Sequence, residues 1–408
     1  MWLVDPLQPT QATGADFRYT ADARSWLAPT LIGVALLIVS FVGWAVDAHQ
    51  FYFSYLVGWI FCVSVAVGAQ FFIIVQHLTK AHWSVVVRRI PEALVWAFPV
   101  LALLSIPILL GMHDLFHWTH HELFDPGSPE YDPVLAGKEA YLNVPFFLVR
   151  VVFYFAVWTL IGYRLYTLSV RQDVDPDRSI PARQRSTSAW GLPLMAVTTA
   201  FASYDFLMSL DPHWFSTIFG VYFFADAFLS SFAFTTLLAV LFQRSGMLRR
   251  TISVEHYQDL GKFMFGFTVF WAYIAFSQYM LIWYGNLPEE TVWYRIRLEN
   301  GWQVYSAILL IGHFFIPFWM LISRGAKRIL PLMAFMAVWI LIMHWFDFWW
   351  IATPVLRETN PAFHWLDFTS ALGLFGLMLG LCLYRLSRHS LVPENDPQLQ
   401  KSIAFVNA

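Results

Sequence analysis

Ten apolar stretches, each about 20 residues or longer, recur along this chain of 408 residues, at approximately 26–46, 52–77, 91–112, 143–168, 190–210, 213–243, 262–285, 302–323, 329–350 and 363–385. About 20 residues of helix cross roughly 30 Å of hydrocarbon. Lipid offers no water to backbone N–H and C=O groups, so runs this long must bond within themselves as helices. The spacing therefore predicts an all-α integral membrane fold of ten transmembrane helices. Only 13% of the residues are charged, against about 25% in soluble proteins. A net charge of −2 offers no excess for nucleic acid. The expected division is a tail at 1–25, a ten-helix membrane domain at 26–385 with an outer loop at 113–142, and a tail at 386–408. Asp5, Asp16 and Asp22, together with the length of the first apolar run, argue against a cleavable signal peptide.

The distribution of Lys and Arg tests the count, since a missed span would scramble their alternation between the two sides. The connections after spans two, four, six and eight hold Lys80, Arg88 and Arg89; Arg171, Arg178, Arg183 and Arg185; Arg244, Arg249 and Arg250; and Arg324, Lys327 and Arg328. Those after spans one and five hold none. With tails and span ends included, 20 of the 25 cations fall on one side, which the positive-inside rule makes cytoplasmic, along with both termini. The opposite side carries acidic, aromatic and His-rich loops suited to docking another protein. Trp283, Trp293, Trp349, Trp350, Trp365 and Tyr284 are expected in an outer aromatic belt.

The chain is organised around Thr198–Ala233, where two apolar runs meet at Ser209, Leu210, Asp211 and Pro212. The pattern predicts a helical hairpin with a tight turn, Asp211 capping the second limb and Pro212 in its first turn. Each limb carries an acid, Asp205 and Asp226. An intramembrane acid is costly and marks a functional site or a paired group within the bundle. Asp226, about 14 residues into span six, is expected roughly 20 Å from the outer end, and is the leading candidate for proton transfer.

Span nine ends with His344 and Asp347, three residues apart on one helical face. A carboxylate beside an imidazole that titrates near neutrality forms either a proton relay or a structural hydrogen bond. His313, Gln70 and Gln278 extend the set of proton-path candidates, or serve as interhelical glue. Asp367 and His77 lie near span ends, where water explains them. A short echo links Gly68-Ala-Gln-Phe-Phe-Ile to Gly312-His-Phe-Phe-Ile-Pro, each followed by a basic turn.

In the outer loop, His113, His117 and His121 recur every fourth residue. On a helix they would form one stripe, either a zinc or copper site or a partner-facing surface. Cys62 and Cys382 lie in apolar runs, so neither a disulfide framework nor a metal cluster is expected. There is no C-x-x-C-H, Cys cluster, P-loop or dinucleotide fingerprint. The chain is thus expected to hold no cofactor and no complete active site.

The segments Asp132-Pro-Val-Leu-Ala-Gly-Lys-Glu-Ala-Tyr-Leu-Asn-Val-Pro-Phe-Phe-Leu-Val-Arg150 and Ser203-Tyr-Asp-Phe-Leu-Met-Ser-Leu-Asp-Pro-His-Trp-Phe-Ser-Thr-Ile-Phe-Gly-Val-Tyr222 resemble the smaller of the two NrfD-like membrane subunits of bacterial alternative complex III. That assembly is a quinol:electron-acceptor oxidoreductase of the bacterial inner membrane. The resemblance implies two four-helix bundles, spans two to five and six to nine, flanked by spans one and ten. It also implies partners: a larger NrfD-like subunit, an iron–sulfur subunit resembling molybdopterin oxidoreductases, multihaem and monohaem c-type cytochromes, small membrane-anchored subunits, and a terminal oxidase as a further candidate associate. Haem c and iron–sulfur clusters would belong to those partners, and menaquinol or ubiquinol would be the substrate. For this chain it implies a scaffold with a proton path, for which Asp205, Asp226, His344 and Asp347 are the matching positions. Quinone binding, a purely structural anchor and a stand-alone transporter are the rivals.

Overall fold

The computed structural model describes residues 17–20, 22 and 24–407, so Asp5, Asp16 and most of the expected N-terminal tail lie outside the described residues. Among the described residues there is no strand. Ten long helical segments follow one another: α1 (Leu27–Val46), α2 (Ala48–Thr79), α3 (Arg89–Leu110), α4 (Val144–Arg171), α5 (Ile180–Phe206), α6 (Phe219–Arg244), α7 (Val254–Gly285), α8 (Trp302–Leu321), α9 (Leu330–Leu356) and α10 (Trp365–Arg388). Nine of these, all but α5, are long and apolar enough to cross a membrane. At 27 residues α5 is long enough, but Thr187, Ser188, Thr198, Thr199, Ser203 and Asp205 dilute its apolar character.

The core is built on α2 and α6. The most apolar window of α2 is entirely buried, and α6 is nearly so. The two cross closely because Gly68 has no side chain: a Cβ there would run into the backbone carbonyl of Ala227. Around this pair lie α5, α9 and α10, with α7 against α6, and α1 packs chiefly on α10. At that outer contact Gly376 approaches the backbone of Pro29 and Gly33, where a Cβ would meet the Pro29 carbonyl oxygen at 2.8 Å. Small residues permit such approaches where lipid supplies no hydrophobic drive between helices.

Two helices depart from regular geometry for readable reasons. Pro91, Pro99 and Pro107 each remove a backbone donor, and α3 is correspondingly divided into short helical turns. In α8, Pro317 cannot donate to the carbonyl four residues earlier, that of His313, and Leu310–Phe315 widens into a π-helical turn.

The basic connections gather at one end of the bundle. There Arg89 bonds Asp173 at 2.8 Å, Arg328 bonds Glu255 at 2.7 Å, and residues 391–407 fold back across the helix ends. In that strap Arg88 bonds Asp396 at 2.8 Å and Ser402 donates to the Trp83 carbonyl at 2.9 Å. At the other end Lys138 donates to the Pro212 carbonyl and Asp132 bonds His213.

The hairpin differs from expectation. Its connection runs from residue 207 to 218 and includes a 3-10 turn, Met208–Leu210. Asp211 is therefore not the helix cap; Ile218 occupies that position without a side-chain bond. The polar, turn-forming stretch after Asp211 resists helix, and α6 begins only at Phe219. Asp226 lies seven residues into α6, roughly 10 Å along its axis rather than 20 Å.

Candidate functional site

Asp226, His313, His344 and Asp347 are all fully buried. Packing of α6 against α9 brings Asp226 to His344, whose Nδ1 lies 2.5 Å from Oδ2. The other imidazole nitrogen, Nε2, lies 2.6 Å from the Ser64 hydroxyl on α2. Ser64 directs its only proton to the Phe61 carbonyl, at 2.7 Å. That leaves Ser64 as acceptor and His344 Nε2–H as donor. A single proton then lies between His344 Nδ1 and Asp226, carried by one or the other.

The π-helical turn of α8 presents His313 to the opposite carboxylate oxygen. Its Nε2 is 3.1 Å from Asp226 Oδ1, but the ring is turned out of hydrogen-bond alignment, and neither imidazole nitrogen has a hydrogen-bond partner among the described residues. The ring is stacked on Trp271 of α7, with centroids 4.1 Å apart and planes 15° apart.

Trp271 also donates its indole N–H to Asp347 Oδ2 at 3.3 Å, while Tyr222 donates to Oδ1 at 2.5 Å. Tyr222 stands one turn before Asp226 on α6. The spacing of His344 and Asp347 suggested a direct pair. Instead each turns to a neighbouring helix, His344 to Asp226 and Asp347 to Tyr222, because packed helices offer both residues closer partners.

Tyr222 and Trp271 also line a cavity of about 70 Å³ shared with Gln278, Tyr294, Trp293 and Trp350. Gln278 accepts from Ser216 at 2.9 Å and donates to Tyr294 at 3.0 Å. Polar groups thus run from the connections at the less basic end, through this cavity, to Tyr222 and Asp347. Gln70 is placed differently: it is buried in α2 beside Gly162 of α4, with both amide atoms unpartnered among the described residues.

Asp205 is held elsewhere. Arg150 of α4 grips it with two bonds, Nε–Oδ2 at 2.8 Å and Nη2–Oδ1 at 2.9 Å, and Tyr154 adds a third at 2.7 Å. Arg150 is in turn anchored on the Tyr141 carbonyl at 2.9 Å and lies over the Tyr141 ring. Such a paired, planar guanidinium–carboxylate contact is a strut geometry. Asp367 is not at water either: it is buried and accepts from Ser54, Trp349 and the His364 backbone. His77 is buried too.

Other expectations are also redrawn. Trp293, Trp349 and Trp350 are buried rather than belt residues, whereas Trp283, Tyr284 and Trp365 are exposed. The loop containing His113, His117 and His121 breaks into separate turns at residues 116 and 120, so the three do not form a stripe. His113 instead stacks on His120, with centroids 3.9 Å apart. Among the described residues no group of three or more His, Cys, Asp or Glu side chains is arranged to hold a metal ion.

Outside the membrane segments, Asp132 organises the long loop, capping Pro133–Ala136 through the Val134 and Leu135 N–H groups and bonding His213 at 2.5 Å. Burial works to raise its pKa, but the His213 bond and the two backbone donors prevail and hold it below its usual value.

Sequence reading missed Ser64, Tyr222 and Trp271, whose residue types are common in apolar helices and carry no spacing signal. It also missed Glu92, buried with Arg88 at 2.9 Å and Arg89 at 3.3 Å. Here a signal existed, since both cations stand within one helical turn of the acid. No protein-family model matches this chain, and no curated protein matches it significantly.

Proposed function

We propose that this chain is a ten-span membrane subunit, built as two four-helix bundles flanked by α1 and α10, that carries protons within a quinol-oxidising respiratory complex. On this reading it lies in the bacterial inner membrane with both termini cytoplasmic. Electrons stay with haem and iron–sulfur partners docked on the outer face. The observation that carries the reading is the buried array in which Asp226 lies between His344 and His313, with Asp347 and Tyr222 beside it. A shared proton, a second imidazole beside the same carboxylate and a mainly aromatic cavity that Gln278 and the Tyr222 and Tyr294 side chains also line are the parts offered for a relay. The resemblance of residues 132–150 and 203–222 to the NrfD-like subunits supports the choice of complex.

The test is the proton-to-electron ratio of the assembled complex in sealed vesicles during quinol oxidation, wild type against Asp226→Asn. Asparagine keeps the shape and removes the titrating group. Electron transfer that persists while proton movement beyond quinol chemistry falls is the expected result. Wild-type values of both would defeat the relay and leave a scaffold.

A further inference from the structure

At the basic end, a cavity of about 90 Å³ opens between the end of α2, the start of α5 and the C-terminal strap. That is space for several waters. Its charge is not balanced. Arg88 is committed to Glu92 and Asp396, but Lys80 and Arg185 reach the same cavity with no ion-pair or hydrogen-bond partner among the described residues. Lys80, in a left-handed backbone conformation with φ 53°, ends α2 at the rim of the cavity.

Its inner wall is polar and unsatisfied. Gln184 is 1% exposed, Gln76 3% and His77 7%. Gln184 Nε2, His77 Nε2 and Gln76 Oε1 have no hydrogen-bond partner among the described residues. A buried polar group without a partner is costly, so three around one cavity point to a ligand. The first turn of α5, where Pro181 and Gln184 line the cavity, contains no acidic residue. Asp177, just before that helix, accepts from the Ser179 N–H at 2.8 Å and from its hydroxyl at 2.7 Å, so an anion's charge is met by the side chains rather than by the helix end.

We propose that this cavity binds a phosphate-bearing anion, with Lys80 and Arg185 supplying charge, Gln184 and His77 donating to phosphate oxygens, and Gln76 accepting a hydroxyl proton. The phosphate belongs either to an anionic phospholipid headgroup or to a soluble phosphate; both present the same chemistry to these side chains.

The experiment uses the full chain, purified in detergent and stripped of lipid. Palmitoyl-oleoyl phosphatidylglycerol, the corresponding phosphatidylcholine and inorganic phosphate are titrated separately, with binding read by native mass spectrometry and thermal unfolding. Wild type should bind phosphatidylglycerol or inorganic phosphate, and Lys80→Ala/Arg185→Ala should weaken that binding on the order of tenfold or more. Arg250→Gln, an exposed cation on another connection, should bind as wild type. Gln184→Leu removes a buried amide whose nitrogen has no hydrogen-bond partner among the described residues, so it should fold normally and still bind more weakly. Loss confined to phosphatidylglycerol assigns the site to lipid; equal loss for inorganic phosphate assigns it to a soluble anion. Binding that is absent, or unchanged in both variants, overturns the proposal.

Discussion

Asp205 and Asp226 look alike in the sequence, and their surroundings predict opposite responses to the same substitution. In Asp205→Asn the amide can keep the Tyr154 bond and one Arg150 bond, but it loses the second Arg150 bond and the whole countercharge. The Arg150 side chain is only 8% exposed, so its cation is left nearly uncompensated. Breaking a buried pair from one side costs about 3–5 kcal/mol. Arg150→Met should cost a similar amount, stranding the carboxylate. The double variant Arg150→Met/Asp205→Leu removes both charges and should be less destabilised than either single variant. Thermal unfolding of the purified protein, followed by tryptophan fluorescence, measures all four. If Asp205→Asn unfolds like wild type yet abolishes proton movement, the strut assignment is wrong and Asp205 belongs with the relay.

Two further outcomes test other parts of the molecule. Gly68→Ala should destabilise by about 1–3 kcal/mol, because its Cβ would strike the Ala227 carbonyl, whereas Gly266→Ala, with nothing within 4 Å, should not destabilise; comparison of the two unfolding curves decides. For Asp132, whose pKa is held below its usual value in the folded protein, the sign follows from linkage: its contribution is complete above about pH 4 and is lost as pH falls through the folded-state value. Proteolysis of loop 113–142 should accelerate across that acidic range in wild type, and Asp132→Asn should show the faster cleavage already at neutral pH.

How far the sequence was legible follows from what each residue's signal depends on. Long apolar runs and alternating cations depend on length and side alone, so the helices and their two-ended arrangement could be read directly. Depth could not: Phe219 rather than Pro212 starts α6, since the cost of ordering residues 211–218 as helix depends on loop contacts such as His213 with Asp132. The acids and imidazoles of the site were visible because they are rare in apolar helices. Their partners were not, since which of Asp226 or Asp347 meets His344 is set by how α6 and α9 are rotated against each other. The π-helical turn that aims His313 inward had one trace, Pro317, four residues after it.

The strap formed by residues 391–407 has a consequence for how the protein is made. Arg88 and Asp396 are 308 residues apart in sequence, so at about 5–20 residues per second the arginine waits roughly 15–60 s for its partner. During that interval α3 to α10 are made, while the ends of α2 and α3 stand uncovered. Closure of this end therefore waits until residues 391–407 have been made. A chain that stops short of Asp396 would carry α1 to α10 and still leave Arg88 without one of its two carboxylate partners.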